Sequence, residues 1–195
     1  MAGDARPSRR IFIGAGVAAI AAAAIWPAEA RQTIATPKPK IIARGKAAHR
    51  TLALHNLHTG EKFDEVYFAN GRYEPGALRE INEILRDHHD GTVHAIDPRL
   101  LDLLVHLRQR LGTGSPYEVL CGYRSPETNA MMAAMSDGVA AGSLHMYGQA
   151  IDMRVPGRSL RQVNRAALSL KAGGVGYYPS SNFVHVDTGS VRHWT

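Results

Sequence analysis

The segment SLHMYGQAID, residues 143–152, places a histidine and an aspartate seven positions apart with a glycine between them. Donor atoms of two ligands on one zinc ion lie within roughly 3.5 Å of each other, whereas seven residues of straight strand span about 23 Å. His145 and Asp152 can therefore share a metal ion only if the chain doubles back between them. Gly148 is the residue that can adopt the positive φ of such a bend.

A third candidate ligand lies in the segment FVHVD, residues 183–187. Strand alternation directs His185 and Asp187 to one face, and the two valines between and beside them to the other. His145, Asp152 and His185 would then supply two imidazoles and one carboxylate and leave a fourth position for water. This set is typical of a catalytic zinc site, because structural sites are closed by four protein ligands. The alternative is that each histidine is an ordinary half-buried hydrogen-bonding residue.

The elements that position these residues follow from apolar periodicity and turn signals. The predicted strands cover residues 51–57, 62–68, 117–121, 149–155, 175–178 and 183–187, and the predicted helices begin at Pro75, Pro98, Pro126 and Ser159. Short strands joined partly by hairpins favour an antiparallel sheet. The pattern therefore predicts an α+β domain in which an antiparallel sheet is flanked by helices.

The sulfur-containing residues of this region are assigned to the core. Cys121 is the single cysteine, so no intramolecular disulfide can form, and its alternating strand predicts a buried, inert thiol. Met131, Met132 and Met135 have a spacing that is typical of core filler on a helix.

The first thirty residues differ in composition from the rest of the chain. The pair Arg9-Arg10 precedes an apolar, alanine-rich run that ends at the small-residue site Ala28-Glu29-Ala30. We interpret residues 1–30 as an export signal of the twin-arginine type. The apolar run of this signal is short for a membrane span. We expect the signal to be removed, which leaves no stable membrane span. The alternative is that it stays uncleaved as an N-terminal anchor.

The sequence after this signal divides into a linker and a domain. Residues 31–50 lack apolar periodicity and predict an extended basic linker, which leaves residues 51–195 for the folded domain. The formal net charge of the chain is +6. A basic exported protein suits an anionic polymer such as the cell wall, and we expect no nucleic-acid partner outside the cytoplasm.

Several ordered motifs resemble one family. SLHMYGQAIDM is similar to the S-x-H-x-x-G-x-A-x-D segment of the LAS metallopeptidases, the group that includes lysostaphin-type enzymes, D-Ala-D-Ala peptidases and the zinc domain of Sonic hedgehog. LHNLHTGE, LCGYRSPETN, KAGGVGYYPSSNFVHVDTGSVRHW and the twin-arginine leader resemble the murein endopeptidases of that group. The similarity runs from about Leu52 to Trp194.

The resemblance implies a Hedgehog/DD-peptidase fold and a periplasmic zinc endopeptidase. Such an enzyme cuts peptide cross-links of peptidoglycan, including links between two meso-diaminopimelate residues. The resemblance also implies that His145, Asp152 and His185 hold the zinc ion and that Arg124 helps to hold the substrate. A planar guanidinium can clamp a stem-peptide carboxylate with two hydrogen bonds.

One departure from the family leaves the general base open. Dipeptidase and carboxypeptidase relatives carry a glutamate three residues before the last zinc histidine, where this chain has Asn182. Asp187 is the first candidate for the base and His193 the second, although Asp187 could instead orient a ligand imidazole. Ser143 could stabilise the oxyanion, or it could simply cap a turn.

Two rival functions stay open on the sequence alone. The first is a carboxypeptidase or dipeptidase that trims D-Ala from stem peptides. The second is a wall-binding module that has kept the zinc-containing fold without turnover.

Overall fold

One sheet organises the described part of the computed structural model, residues 49–136 and 139–195. Its strands are β1 (His49–Asn56), β2 (Lys62–Ala69), β3 (Arg72–Tyr73), β4 (Tyr117–Cys121), β5 (Ala150–Arg154), β6 (Gly174–Tyr178), β7 (Phe183–Asp187) and β8 (Arg192–Trp194). Their order across the sheet is β3-β2-β1-β4-β5-β7-β6-β8. The predicted signal and residues 31–48 of the predicted linker lie outside the described residues.

The helices begin within one residue of their predicted starts. They are α1 (Pro75–Ile84), α2 (Pro98–Leu111), α3 (Pro126–Met135) and α4 (Leu160–Leu170). The first three carry proline in their first turn, where its missing N–H costs no helical hydrogen bond. Asp97, Ser125 and Ser159 cap the N-termini of α2, α3 and α4 with their side chains.

The α+β class is confirmed, but the prediction of an antiparallel sheet was wrong, because the sheet is mixed. Strand β1 pairs with β4 in parallel, and β6 pairs with β8 in parallel. The chain between β1 and β4 includes α1 and α2, which bring it back in the same direction. Strand β8 is only three residues long. It follows β7 in the chain but pairs with β6, the other strand of the β6–β7 hairpin.

The apolar face of the sheet is covered by helices. Ile151, Met153, Val184 and Val186 are buried on this face, and α1, α2 and α4 pack near it. Residues that alternate with them, including Asp152 and His185, therefore project from the opposite face. This division leaves the second face available for chemistry.

Helix α3 differs from its prediction as a core helix. Met131 and Met135 are exposed, and Met132 is only half buried. The buried residues of this helix are polar, namely Thr128 and Asn129.

No helix in residues 49–136 or 139–195 is long and apolar enough to cross a membrane.

Candidate metal centre

Three side chains predicted as metal ligands meet on the polar face of the sheet. His185 Nδ1 lies 2.8 Å from Asp152 Oδ1, and His145 Nε2 lies 3.2 Å from His185 Nδ1 and 3.3 Å from Asp152 Oδ1. All three residues are buried. Donors of two ligands on one zinc ion are separated by about this distance, so the arrangement is compact enough for a single ion.

The bend that brings His145 to the sheet is the one predicted at Gly148. His145 lies in a 3-10 helix, Leu144–Tyr147, that ends at Gly148 with a φ of +63°. A Cβ atom at this glycine would lie 2.3 Å from the carbonyl oxygen of Ala95. The turn therefore requires glycine for both its backbone conformation and its close approach to Ala95.

Hydrogen bonds fix both imidazoles through their outer nitrogens. His145 Nδ1 lies 2.7 Å from the carbonyl oxygen of Gly122, and His185 Nε2 lies 3.1 Å from Asp187 Oδ2. A carbonyl or carboxylate oxygen only accepts, so these outer nitrogens carry the protons of the neutral rings. When both rings are neutral, each directs a lone pair towards Asp152, so that three acceptor atoms face one point. This donor set fits a divalent cation.

The charges of the cluster are strongly coupled. Burial raises the pKa of Asp152, but His145 and His185 oppose it more strongly, and the resulting pKa is well below the usual range. Burial lowers the pKa of His145, whereas Cys121 and Asp152 raise it well above its ordinary value. Asp152 is thus a carboxylate at neutral pH, the form in which it can bind a metal ion.

Asp187 is placed to hold His185 in position. Its side chain is completely buried, and it accepts hydrogen bonds from the backbone N–H groups of Gly174 and Gly189 and from the Arg192 guanidinium. Burial raises the pKa of Asp187, but hydrogen bonds from His185, Gly174 and Arg192 have a larger opposite effect and lower this pKa to about 2. These contacts favour the orienting role over that of a general base.

The second candidate base, His193, is not brought to the cluster. It is exposed on β8, between two residues whose side chains reach the site. Arg192 bonds Asp187, and the ring of Trp194 lies 5.2 Å from that of His185. Strand alternation therefore puts His193 on the opposite face.

The position of Asn182 has a local structural reason. It lies in the turn before β7 with a φ of +57°, a left-handed conformation in which asparagine is enriched. Its side chain is exposed. The residue that replaces the glutamate of other relatives thus serves the geometry of the turn.

The two predicted substrate-binding residues lie beside the cluster. Arg124 donates its backbone N–H to His145 and a guanidinium hydrogen bond of 3.2 Å to Asn129, while its buried Nε has no hydrogen-bond partner in the described part of the chain. Ser143 caps the 3-10 helix, accepting from the backbone N–H of His145 at 3.4 Å. This contact agrees with the alternative in which Ser143 caps a turn.

Two cavities border the candidate ligands. One, of about 780 Å³, is lined by all three of them together with aromatic residues, namely Tyr178, Phe183 and Trp194. The other, of about 520 Å³, is lined by histidines and by Met132 and Met135 of α3. Arg124, Asp152 and Phe183 line both cavities, so the cavities adjoin each other beside the candidate ligands.

Sequence reasoning missed Cys121 and the C-terminal strand. The Sγ atom of Cys121 lies within 4.8 Å of ligand atoms of His145 and Asp152. A bulge in β4 between Val119 and Cys121 turns this side chain from the core face to the site face. The signal for Trp194 was the short RHW segment, which was too brief to predict a strand.

A buried His, Asp and His set that borders an open cleft, in an α+β fold, is the arrangement expected of a metallopeptidase. The family model described as peptidoglycan L,D-endopeptidase MepK, Peptidase_M15_2, matches residues 44–194, and the chain belongs to this family. It is 43% identical to the peptidoglycan L,D-endopeptidase MepK of Escherichia coli K12, over 96% of this chain and 97% of that protein. It is 40% identical to a probable peptidoglycan L,D-endopeptidase MepK of Haemophilus influenzae, over 87% of each chain.

Proposed function

We propose that this chain is a zinc-dependent murein endopeptidase that hydrolyses peptide cross-links of peptidoglycan, including links between two diaminopimelate residues. The observation that carries the proposal is the convergence of His145 Nε2, Asp152 Oδ1 and His185 Nδ1 within 3.3 Å of one another. Membership of the MepK family supports the same substrate class.

In this proposal His145, Asp152 and His185 hold the zinc ion. When bound there, zinc supplies a Lewis acid that polarises the scissile carbonyl and lowers the pKa of water. The protein contributes rigid ligands, because Gly122 and Asp187 fix the two imidazoles through their outer nitrogens. The surrounding cleft positions the substrate against this centre.

Arg124 is the proposed substrate clamp. It lines both cavities, and its buried Nε has no hydrogen-bond partner within the described residues. A stem-peptide carboxylate would satisfy this donor with a charge-assisted hydrogen bond. Ser143 contributes mainly by holding the turn that carries His145.

The two cavities favour an endopeptidase over a carboxypeptidase. A cross-linked substrate continues on both sides of the bond that is cut, and two adjoining cavities that share Asp152 offer room for a long substrate. A carboxypeptidase or dipeptidase needs room for only one or two residues beyond that bond. The non-catalytic alternative requires no such cleft at all.

The proposed location is the periplasm, reached through the twin-arginine route. Residues 1–30 would be the signal and residues 31–50 mainly a basic linker, with the catalytic domain after them. Replacing Arg9-Arg10 by two lysines should keep the full-length protein in the cytoplasm. Normal export of that variant would contradict the assignment of the signal.

Digestion of purified cross-linked muropeptides tests the proposed function. The wild-type protein with zinc should convert dimers into monomers, and His185→Ala should bind less zinc and leave the dimers intact. Release of D-Ala without loss of dimers would favour the carboxypeptidase, and bound zinc without any hydrolysis would favour the wall-binding module.

A further inference from the structure

We propose that the phenol of Tyr178 is a catalytic hydrogen-bond donor, aimed at the oxygen of the scissile carbonyl, and that Trp194 holds it in that role. The inference rests on the proposed hydrolysis of peptide cross-links. It assigns a function to the C-terminal strand and to the GGVGYY segment, neither of which the candidate ligands explain.

The sheet register places Tyr178 on the face that carries the centre. In the β6–β7 pair, Gly176 lies opposite His185 and Tyr178 lies opposite Phe183. Tyr178 therefore projects to the same side as His185, two residues further along the strand. It is half buried and lines the 780 Å³ cavity together with the three candidate ligands.

The polarity of one hydrogen bond leaves the phenol as a donor. Trp194 Nε1 lies 2.7 Å from Tyr178 Oη. An indole N–H can only donate, so the tyrosine oxygen is the acceptor in this bond. The proton of Tyr178 is therefore not used in this bond and is available to an acceptor in the cavity that the side chain lines.

The indole that fixes the phenol is itself fixed against a candidate metal ligand. The ring of Trp194 lies 5.2 Å from that of His185, and it crosses β6 at Gly176. A Cβ atom at Gly176 would lie 2.7 Å from the indole, so only glycine leaves room for the ring there. The Arg192 guanidinium lies 5.1 Å from the Trp194 ring.

The second side of the phenol ring is also held. Phe183 stacks on Tyr178 with ring centroids 4.5 Å apart. Contacts from Phe183 and Trp194 thus restrict the tyrosine rotamer before substrate binds. A donor that is already oriented stabilises the negative charge of the transition state more effectively, since little reorganisation is needed.

Both guanidinium groups along this cavity have other roles, since Arg124 is the proposed clamp for a substrate carboxylate. The Arg192 guanidinium bonds Asp187, and Arg124 bonds Asn129. Attack on a peptide carbonyl places negative charge on its oxygen, which a neutral phenol O–H can stabilise without moving a proton. Tyr178 is the side chain that the geometry provides for this task.

The test compares three variants of the full zinc-loaded protein on one cross-linked muropeptide dimer. Tyr178→Phe should lower kcat about 100-fold, as loss of one oxyanion donor does, with KM changed less than about threefold. Trp194→Phe keeps an aromatic ring against His185 but removes the N–H, and should lower kcat by about 5- to 10-fold by loosening the phenol. Tyr177→Phe removes a hydroxyl from the opposite face of the same strand and should leave kcat unchanged.

Zinc content and melting temperature accompany each measurement, so that misfolding or metal loss is recognised. As a second readout, a phosphinic analogue of the cross-link should bind Tyr178→Phe more weakly by the same factor as kcat/KM, because it resembles the tetrahedral state. A wild-type kcat in a folded, zinc-loaded Tyr178→Phe would overturn the inference. Lack of hydrolysis by the wild-type protein would instead refute the proposed function.

Discussion

Asp152 and His185 are direct partners across strands β5 and β7, with Oδ1 of the first 2.8 Å from Nδ1 of the second. The same row continues through the sheet in both directions. Cys121 lies opposite Asp152, Gly176 lies opposite His185, and Trp194 lies opposite Gly176. The register of five strands thus places two of the three candidate ligands, their neighbouring thiol and the indole that packs on His185.

The place of Cys121 in this row allows a direct test of the ligand number. If the metal is held by the three candidate ligands, Cys121→Ser should bind one zinc ion with nearly wild-type affinity and keep its activity. The cobalt-substituted wild-type protein should show no sulfur-to-metal charge-transfer absorption. A charge-transfer band that disappears in Cys121→Ser would mean that the thiolate is a fourth ligand and that the site is closed.

Asp187 should act through His185. Asp187→Asn keeps the shape of the side chain but loses the negative charge that His185 Nε2 contacts at 3.1 Å. We expect its zinc affinity to fall about 10- to 100-fold, the usual effect of losing such an outer partner. Competition with a chelator measures this change. A general base would behave differently, because its loss would reduce kcat at full zinc loading without changing the zinc affinity.

The low pKa of Asp187 predicts the acid stability of the metal-free protein. Its folded pKa of about 2 lies below the unfolded value of about 3.9, so folding favours the ionised form. The resulting stabilisation is complete above the unfolded pKa and is lost as the pH falls towards 2. The difference in free energy of unfolding between wild type and Asp187→Asn should therefore be constant above about pH 5 and narrow below pH 4. A difference that is independent of pH down to 2 would contradict this prediction.

Gly148 should be essential for the metal centre. Alanine there would have to adopt a φ of +63° with its Cβ atom 2.3 Å from the Ala95 carbonyl oxygen. We expect Gly148→Ala to lower the free energy of unfolding by at least about 1 kcal/mol and to weaken zinc binding. Gly142→Ala is the matched control, because nothing lies within 4 Å of its added Cβ atom. Similar denaturation curves and zinc affinities for the two variants would be evidence against the bend.

The sequence predicted the parts of the site that follow from simple periodicity. Alternation in FVHVD put His185 on the polar face, and Gly148 indicated where the chain had to bend. Proline and cap residues marked the starts of α2 and α3. These features are local, so neighbouring residues are sufficient to specify them.

The missed features depend on contacts between distant segments. A bulge in β4, which strict alternation does not reveal, turns Cys121 towards the site. The parallel pairing of β8 with β6 requires the rest of the sheet to be in place. Met131 and Met135 were assigned to the core from their spacing, yet they are exposed because α3 buries polar residues instead.

We propose that a single zinc ion is bound by His145 Nε2, Asp152 Oδ1 and His185 Nδ1. A crystal structure of the zinc-loaded protein, with anomalous data collected on both sides of the zinc edge, measures this directly. We expect one strong anomalous peak about 2.0 to 2.2 Å from all three atoms. A peak elsewhere, for example beside the stacked rings of His58 and His88, with none at this cluster, would contradict it.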